Sequence, residues 1–401
     1  MTATEHRSTA LAHDSPPVSR LPLLDVLRGT AILGTLATNV WLFTAPLGEV
    51  TPLYSTELTV SASGVGQVVE SVFRFLANGK FLALLAILFG AGLAIQYGSA
   101  ARRGRRWPGT YLARALFLLV EGALHFVLVF AWDVLMGYAV TGLVVAWLLT
   151  RSPRTRRIVL WTAATGHVLF MTLVTAALAT ANVQEPSARE TAELTALYAE
   201  GSYLEQVLFR LDHALLLRIE PIITFGLLVA LFLIGVGLLR AGAFHPDVSG
   251  RRLRVRLACW GLGVGLPLNL ATALGGAELF LLDRYVAAPV VAVGYIGLIG
   301  VVVDRLSKFG VVANAFSALG RTAMSGYIAQ NVVCALLCYG FGLGLAAQLG
   351  GAQPWWTLGL WTAVSLGLLV GASLWLRRFR YGPLEWVQKS VVSRFTGSPR
   401  R

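Results

Sequence analysis

Apolar runs of about 20 residues recur along the whole chain, and a helix needs a run of that length to cross a lipid bilayer. Only 13% of the 401 residues are charged, against roughly 25% in a soluble domain. The sequence therefore predicts an all-α, polytopic membrane bundle of about ten transmembrane helices. We place them at residues 24–45, 76–97, 111–130, 133–150, 158–181, 221–241, 255–274, 285–303, 317–345 and 355–376.

The basic residues are distributed unevenly between the two ends of these spans. With the N-terminus inside, six of the 33 basic residues fall on the outer side, together with 13 acidic residues. Such an excess of arginine and lysine marks the cytoplasmic side of a membrane protein, so we expect both termini in the cytoplasm. The net charge of +13 follows this topology, and we expect a lipid bilayer and no nucleic acid as partner.

Two segments lie outside the spans. Residues 1–20 form a polar tail that we expect in the cytoplasm. Residues 182–220 are amphipathic and are expected to lie along the outer surface as one or two short helices. Within the ninth span, three glycines near its outer end are expected to loosen the helix: Gly340, Gly342 and Gly344.

The first span, LDVLRGTAILGTLATNVWLF, contains an acid, a base and an amide. Asp25, Arg28 and Asn39 share one helical face and extend over roughly 20 Å. Because a polar group facing lipid costs several kcal/mol, this face must meet protein or water. Two interpretations remain open: the polar groups bind neighbouring helices together, or they line a cavity that holds a ligand.

A second polar stripe runs along the third span, where Arg114, Glu121 and His125 share a face that points toward Asp133. A carboxylate four residues before an imidazole can share a hydrogen bond with it. This spacing predicts that His125 is a general base and that Glu121 orients it. The alternative is a buried pair that only ties the bundle together.

Other polar residues lie near the span ends. Asn331 shares a face of the ninth span with Tyr327, whereas Arg321 lies at its cytoplasmic mouth and meets either an anionic ligand or lipid phosphate. Lys80, at the outer edge of the second span, is expected to extend to the membrane interface. The sequence has no phosphate-binding loop and no metal-ligand cluster, so we expect no metal, and any chemistry must come from dispersed residues.

Several segments carry a resemblance to a known family. The first span and four later segments together resemble, in their order and spacing, the YeiB-like family of bacterial inner-membrane proteins. That family contains the domain of unknown function 418. The later segments are GKFLALLAILFGAGLAI, HFVLVFAWDVLMGYAVTG, GRTAMSGYIAQNVVCALLCYGFGLGL and RFRYGPLEWV. The resemblance implies a bacterial cytoplasmic-membrane protein with an N-terminal half at 21–221, the family domain at 222–390 and a tail at 391–401.

The Asp-x-x-Arg-Gly pattern at Asp25 and Arg28 also resembles transmembrane acyltransferases related to heparan-α-glucosaminide N-acetyltransferase. This resemblance implies transfer of an acyl group from cytoplasmic acyl-CoA, a co-substrate and not a bound cofactor, to an extracytoplasmic acceptor. The catalytic histidine of that group follows the first helix on the luminal side. This chain has no histidine between Asn39 and His125, so we assign the role to His125.

The predicted site therefore has two parts. The substrate-binding residues are Asp25, Arg28, Arg114, Arg321 and Asn331, and the catalytic residues are His125, Glu121, Asn39 and Asp133. A transporter or exporter of a small or amphipathic molecule remains the alternative, because a polar path through a helical bundle also serves transport.

Overall fold

The computed structural model describes residues 21–54, 64–181, 186–305 and 310–395, and these residues form helices and short connections without a strand. The all-α prediction is confirmed. The helices of ten or more residues within these ranges are α1 (Pro22–Thr44), α2 (Val65–Ala77), α3 (Lys80–Arg102), α4 (Thr110–Leu128), α5 (Leu135–Leu149), α6 (Pro153–Thr180), α7 (Ala188–Ala199), α8 (Tyr203–Asp212), α9 (Phe225–Arg240), α10 (Val248–Leu274), α11 (Ala288–Arg305), α12 (Gly310–Arg321), α13 (Ala323–Cys338), α14 (Trp355–Arg378) and α15 (Pro383–Phe395).

Seven helical segments in the described ranges are long and apolar enough to cross a bilayer, and this marks a multi-pass membrane protein. They are α1, the α2–α3 pair, α4, α6, α10, the segment that ends in α11, and α14. Three further apolar helices, α5, α9 and α13, are shorter. These ten helices coincide with the ten predicted spans, but whether all ten cross the membrane stays a prediction.

The predicted boundaries of the ninth span, 317–345, are wrong at both ends. At its start the chain bends at Thr322 (φ −113°, ψ 33°), which separates α12 from α13. At its end α13 stops at Cys338, because Tyr339 is extended (ψ 155°). The glycines that follow loosen this end as predicted, and Gly344 adopts a left-handed conformation (φ +63°).

The first helix, α1, lies at the centre of the bundle and packs against α3, α12, α13 and α14. Its contact with α12 depends on the absence of a side chain at Gly320, where a Cβ atom would lie 1.8 Å from the Asp25 carbonyl oxygen. Small residues at such crossings let helix backbones approach closely, which is the usual way helices associate in lipid. The helix that carries the first polar stripe is therefore closely packed within the bundle.

Three helices, α1, α4 and α13, run in the same direction. Near their first turns Arg28, Arg114 and Arg321 line one cavity, and further along each helix the polar residues Asn39, His125 and Asn331 meet. We call the end at which these helices begin the arginine face. The opposite end, where α4 stops and α5 begins, is the hairpin face, and α7 and α8 lie there within the predicted amphipathic segment.

Candidate functional site

Four buried polar side chains from three helices and one loop form a continuous hydrogen-bonded chain. Asn39 Nδ2 donates to Asn331 Oδ1 at 3.5 Å, and Asn331 Nδ2 lies 3.2 Å from His125 Nε2. His125 Nδ1 lies 3.1 Å from Asp133 Oδ1. Because the carboxylate only accepts and an amide nitrogen only donates, this chain assigns the proton to Nδ1 and the lone pair to Nε2. In this tautomer Nε2 is the acceptor nitrogen and faces the Asn331 amide.

The imidazole is placed by the end of α4. The carbonyl of His125 accepts hydrogen bonds from the backbone N–H of Val129 and of Phe130, each at 2.9 Å, so the helix closes one turn after the histidine. The connection that follows is held by Glu49, whose Oε2 accepts from the Ala131 N–H at 2.5 Å. The chain is thereby turned back toward α4 and brings residue 133 beside the histidine.

Asp133 is fixed by contacts on both of its carboxylate oxygens. While Oδ1 faces the histidine, Oδ2 accepts from the backbone N–H of Met136 at 3.1 Å and so caps the start of α5. Gly122 on α4 makes room for it, because a Cβ atom there would lie 2.8 Å from Oδ2. Arg218 donates to the Asp133 carbonyl at 2.7 Å. This carboxylate is thus in place to orient the imidazole and to stabilise a positive charge on it.

The prediction that Glu121 orients His125 is wrong. Both carboxylate oxygens of Glu121 are buried and have no hydrogen-bond partner in the part of the chain that the structure describes. Helical spacing put Glu121 and His125 on one face, but Asp133 takes the Nδ1 position because the loop after α4 folds back over that nitrogen. Glu121 lies one turn closer to the arginine face.

A cavity of about 280 Å³ lies on the arginine-face side of these hydrogen-bonded side chains. Arg28, Arg114 and Arg321 all line it, so the structure brings these three predicted residues together. Two of the guanidinium groups are also held from the side: Arg28 Nη1 lies 3.6 Å from Asp25 Oδ1, and Arg114 Nη1 donates to Gln96 Oε1 at 2.5 Å. Three guanidinium groups around one cavity favour an anionic ligand.

The predicted residues thus fall into two layers. On α1 and α4 the arginine precedes the polar residue by 11 positions, from Arg28 to Asn39 and from Arg114 to His125, whereas Arg321 ends α12 and Asn331 lies on α13. At 1.5 Å per residue the layers lie about 16–17 Å apart along α1 and α4. Tyr327 joins them, because it lines the arginine cavity and its ring centroid lies 5.2 Å from that of His125.

The last helix, α15, closes part of the same cavity, and sequence reasoning missed this contribution. Glu385 and Gln388 both line the cavity. The Glu385 carboxylate also caps α13: Oε1 accepts from the Met324 N–H at 2.9 Å, and Oε2 accepts from the Ser325 hydroxyl at 2.5 Å. An acid at a helix N-terminus is stabilised by the helix dipole. The segment RFRYGPLEWV was the available signal, since it was recognised as a family motif but given no role.

Three other buried charged side chains were missed or misplaced. Glu49 Oε1 lies 2.7 Å from Arg210 Nε, and both side chains are fully buried at the hairpin face. Lys80, expected at the membrane interface, is instead fully buried, with Nζ donating to the Asn78 carbonyl at 3.3 Å. Glu49 and Arg210 are 161 residues apart in sequence, so helical spacing could not reveal their pairing. Within the described ranges no cluster of three His, Cys, Asp or Glu residues is arranged to hold a metal ion.

Comparison with known proteins assigns the C-terminal part of the chain to a family. The profile of the family described as "Protein of unknown function (DUF418)" matches residues 238–394, which include α10 to α14 and nearly all of α15. The chain contains a DUF418 domain and is similar to YeiB-like proteins. The arginine cavity and the hydrogen-bonded row of polar side chains each include residues from the DUF418 region and from the half that precedes it.

Curated relatives of this DUF418 protein match along almost its whole length. It is 28% identical to "Uncharacterized protein YeiB" of Escherichia coli (strain K12), with 93% of this chain and 96% of the relative covered. It is 26% identical to "Uncharacterized protein YxaH" of Bacillus subtilis (strain 168), with 93% and 94% covered. No solved structure matches it.

Proposed function

We propose that this chain is a membrane-bound acyltransferase of the bacterial cytoplasmic membrane. It takes an acyl group from acyl-CoA at the arginine face, which is cytoplasmic together with both termini, and transfers it to an acceptor hydroxyl or amine that enters from the other side. The observation that carries the proposal is the pair of layers: a cavity lined by three arginines leads to a buried imidazole held by Asp133.

The arginine layer suits the donor. Acyl-CoA carries several phosphates at one end and its thioester at the end of a long flexible arm. Arg28, Arg114 and Arg321 would bind the phosphates through charge-assisted hydrogen bonds. The cavity of about 280 Å³ is close to the ~300 Å³ at which ligand pockets begin, and it leads toward Tyr327 and the imidazole.

The imidazole layer suits the transfer step. An acceptor that replaces the Asn331 amide on His125 Nε2 gives its proton to that nitrogen while its oxygen or nitrogen attacks the thioester carbonyl carbon. A new C–O or C–N bond forms, the C–S bond breaks, and the CoA thiolate takes the proton from the imidazolium. Asp133 stabilises the imidazolium during the step, and Asn39 and Asn331 hold the acceptor.

The test uses purified protein in proteoliposomes made from bacterial membrane lipid, with acetyl-CoA or palmitoyl-CoA carrying a radioactive acyl group. Wild-type protein should release free CoA and move the label to a second molecule. His125→Gln keeps the size and hydrogen bonding of the side chain but removes its basicity, so transfer should fall by about 10²-fold to 10⁴-fold. His213→Gln is the matched control, because His213 is exposed and outside the site. Equal rates for wild type and His125→Gln would contradict the proposal.

Transport is the second candidate. A second, smaller cavity is separated from the arginine cavity by the start of α5. Asp133, Val134 and Tyr138 line the smaller cavity, whereas Leu135 lines the arginine cavity. Two cavities separated by one turn of helix also fit a protein that opens alternately to either side. Flux of an anion without release of CoA in the same proteoliposomes would favour this function over acyl transfer.

A further inference from the structure

The smaller cavity has a polar end and an apolar side, and the acyl-transfer step proposed above places no ligand in it. It has a volume of about 60 Å³ and lies between α3, α5, α9 and the turn that precedes α11. Its polar groups include Asp133, Glu220 and Arg284. Most of its remaining lining is apolar, including Leu82, Leu227, Leu228, Leu231 and Pro289.

The polar end is held rigidly by hydrogen bonds. Glu220 Oε1 accepts from the Tyr285 hydroxyl at 2.6 Å and from Arg284 Nη2 at 3.1 Å. Arg284 Nη1 in turn donates to Asn78 Oδ1 at 2.5 Å. The cavity therefore presents a fixed carboxylate and a fixed guanidinium side by side, and a ligand can both donate to and accept from this pair.

A local irregularity of the chain presents these groups. Residues Asp283–Ala287 form a π-helical turn, which is a rare conformation that occurs frequently at functional sites. The turn is anchored on its other side, because Asp283 Oδ1 accepts from Asn269 Nδ2 at 2.6 Å and from the Thr272 hydroxyl at 3.0 Å. With Asp283 fixed in this way, the next two residues of the turn, Arg284 and Tyr285, line the cavity.

The size and lining of the cavity indicate the class of ligand. A volume of about 60 Å³ is roughly four times the ~15 Å³ that one water needs, so it accepts a small polar head and excludes a sugar dimer. Several lining residues on α5, on α9 and just before α9 are only half-buried, so the cavity opens to the side of the bundle there: Gly137, Pro221, Leu227 and Leu228. An apolar chain attached to the head would leave through this opening into lipid.

We propose that this cavity binds the hydroxylated head of an amphipathic alcohol whose apolar chain lies in the membrane between α5 and α9. The head contacts Glu220, Arg284 and Asp133, and Asp133 is also the partner of His125. Occupancy of the cavity is thereby connected to the imidazole through one carboxylate. The site stands whether or not the chain transfers acyl groups.

Photo-crosslinking in phosphatidylcholine nanodiscs tests this site. The probe is a 1-O-alkylglycerol that carries a diazirine on the first carbons of its alkyl chain. Labelling should concentrate on peptides that contain residues 133–138, 220–231 and 284–289, and unlabelled alkylglycerol should compete at least fivefold better than an alkane of the same length. Labelling spread evenly over lipid-facing helices, without competition by alkylglycerol, would overturn the proposal.

Variants make the test specific. Gly137→Leu fills the cavity, because a Cβ atom at this position already lies 3.3 Å from the Pro221 Cβ and 3.5 Å from Leu228 Cδ1; labelling should fall at least fivefold. Gly237→Leu on α9 is the matched control, since nothing lies within 4 Å of its added Cβ atom. If Gly137→Leu does not fold, Leu228→Trp blocks the opening from a half-buried position and should lower labelling equally. Unchanged labelling in a folded cavity variant contradicts the site.

Discussion

His125 Nδ1 and Asp133 Oδ1 lie 3.1 Å apart at the point where α4 ends and the chain returns to begin α5. The histidine comes from a helix and the aspartate from a loop, and neither side chain is exposed to solvent. A carboxylate in this position fixes which nitrogen of the ring carries the proton and leaves the other free to act as a base.

The first prediction compares the two carboxylates near His125. Asp133→Asn should lower the rate of acyl transfer by about 10²-fold to 10⁴-fold, because the amide can no longer hold the Nδ1–H tautomer or stabilise an imidazolium. Glu121→Gln should cost far less, since Glu121 makes no hydrogen bond within the described residues. The measurement is kcat for acyl transfer with both variants shown to be folded. A larger loss in Glu121→Gln than in Asp133→Asn would reverse the two roles.

The second prediction concerns the arginine cavity. Changing Arg28, Arg114 or Arg321 to Gln removes one charge-assisted hydrogen bond, worth about 1.5–3 kcal/mol, and should raise the Kd for CoA by about 10-fold to 100-fold. Arg154→Gln is the control, because Arg154 is an exposed arginine at the same end of the bundle. Isothermal titration with CoA measures the effect. Affinities that match the control in all three variants would assign these arginines to lipid phosphate.

The third prediction concerns the buried ion pair at the hairpin face. Arg210→Gln leaves Glu49 charged and unpaired, and breaking one partner of a buried pair typically costs about 3–5 kcal/mol. The variant should unfold at a lower temperature and be cleaved faster by protease between residues 186 and 220. Arg189→Gln breaks an exposed pair with Glu193 and should change neither. Equal protease resistance of the two variants would contradict the structural role of Arg210.

The fourth prediction concerns orientation in the membrane. Reporter fusions after residues 200 and 395 should lie on opposite sides, with residue 395 in the cytoplasm. The reason is that α15 covers the arginine cavity, whereas Tyr198, just before the end of α7, packs against Glu49 at the hairpin face. The same reporter signal from both fusions would contradict the topology.

The sequence was sufficient for the helices and for part of the site. Apolar runs locate membrane helices because every lipid-facing backbone group must be paired within its own helix. Helical spacing also put Arg28 with Asn39 and Arg114 with His125 on single faces. Both relations hold in the structure because each pair lies within a single unbroken helix.

Relations that cross a loop or join distant helices were not predictable in this way. Asp133 lies five residues beyond Leu128, where α4 ends, and a loop separates the two, so helical spacing carries no information about the distance between Asp133 and His125. The loop conformation depends on Glu49, which contacts Ala131 from 82 residues earlier in the chain. The break at Thr322 is likewise stabilised from far along the chain. Glu385, 61 residues beyond Met324, accepts a hydrogen bond from the Met324 N–H.

The most direct test of the two-layer site is a structure of the protein bound to a thioether analogue of acyl-CoA, which cannot release its acyl group. We expect the phosphates against Arg28, Arg114 and Arg321, and the acyl carbon within reach of an acceptor held at ~3 Å from His125 Nε2. Displacement of the Asn331 amide from that nitrogen is expected in the complex. An analogue bound outside the arginine cavity, or one whose sulfur lies on the far side of α15 from His125, would contradict the account.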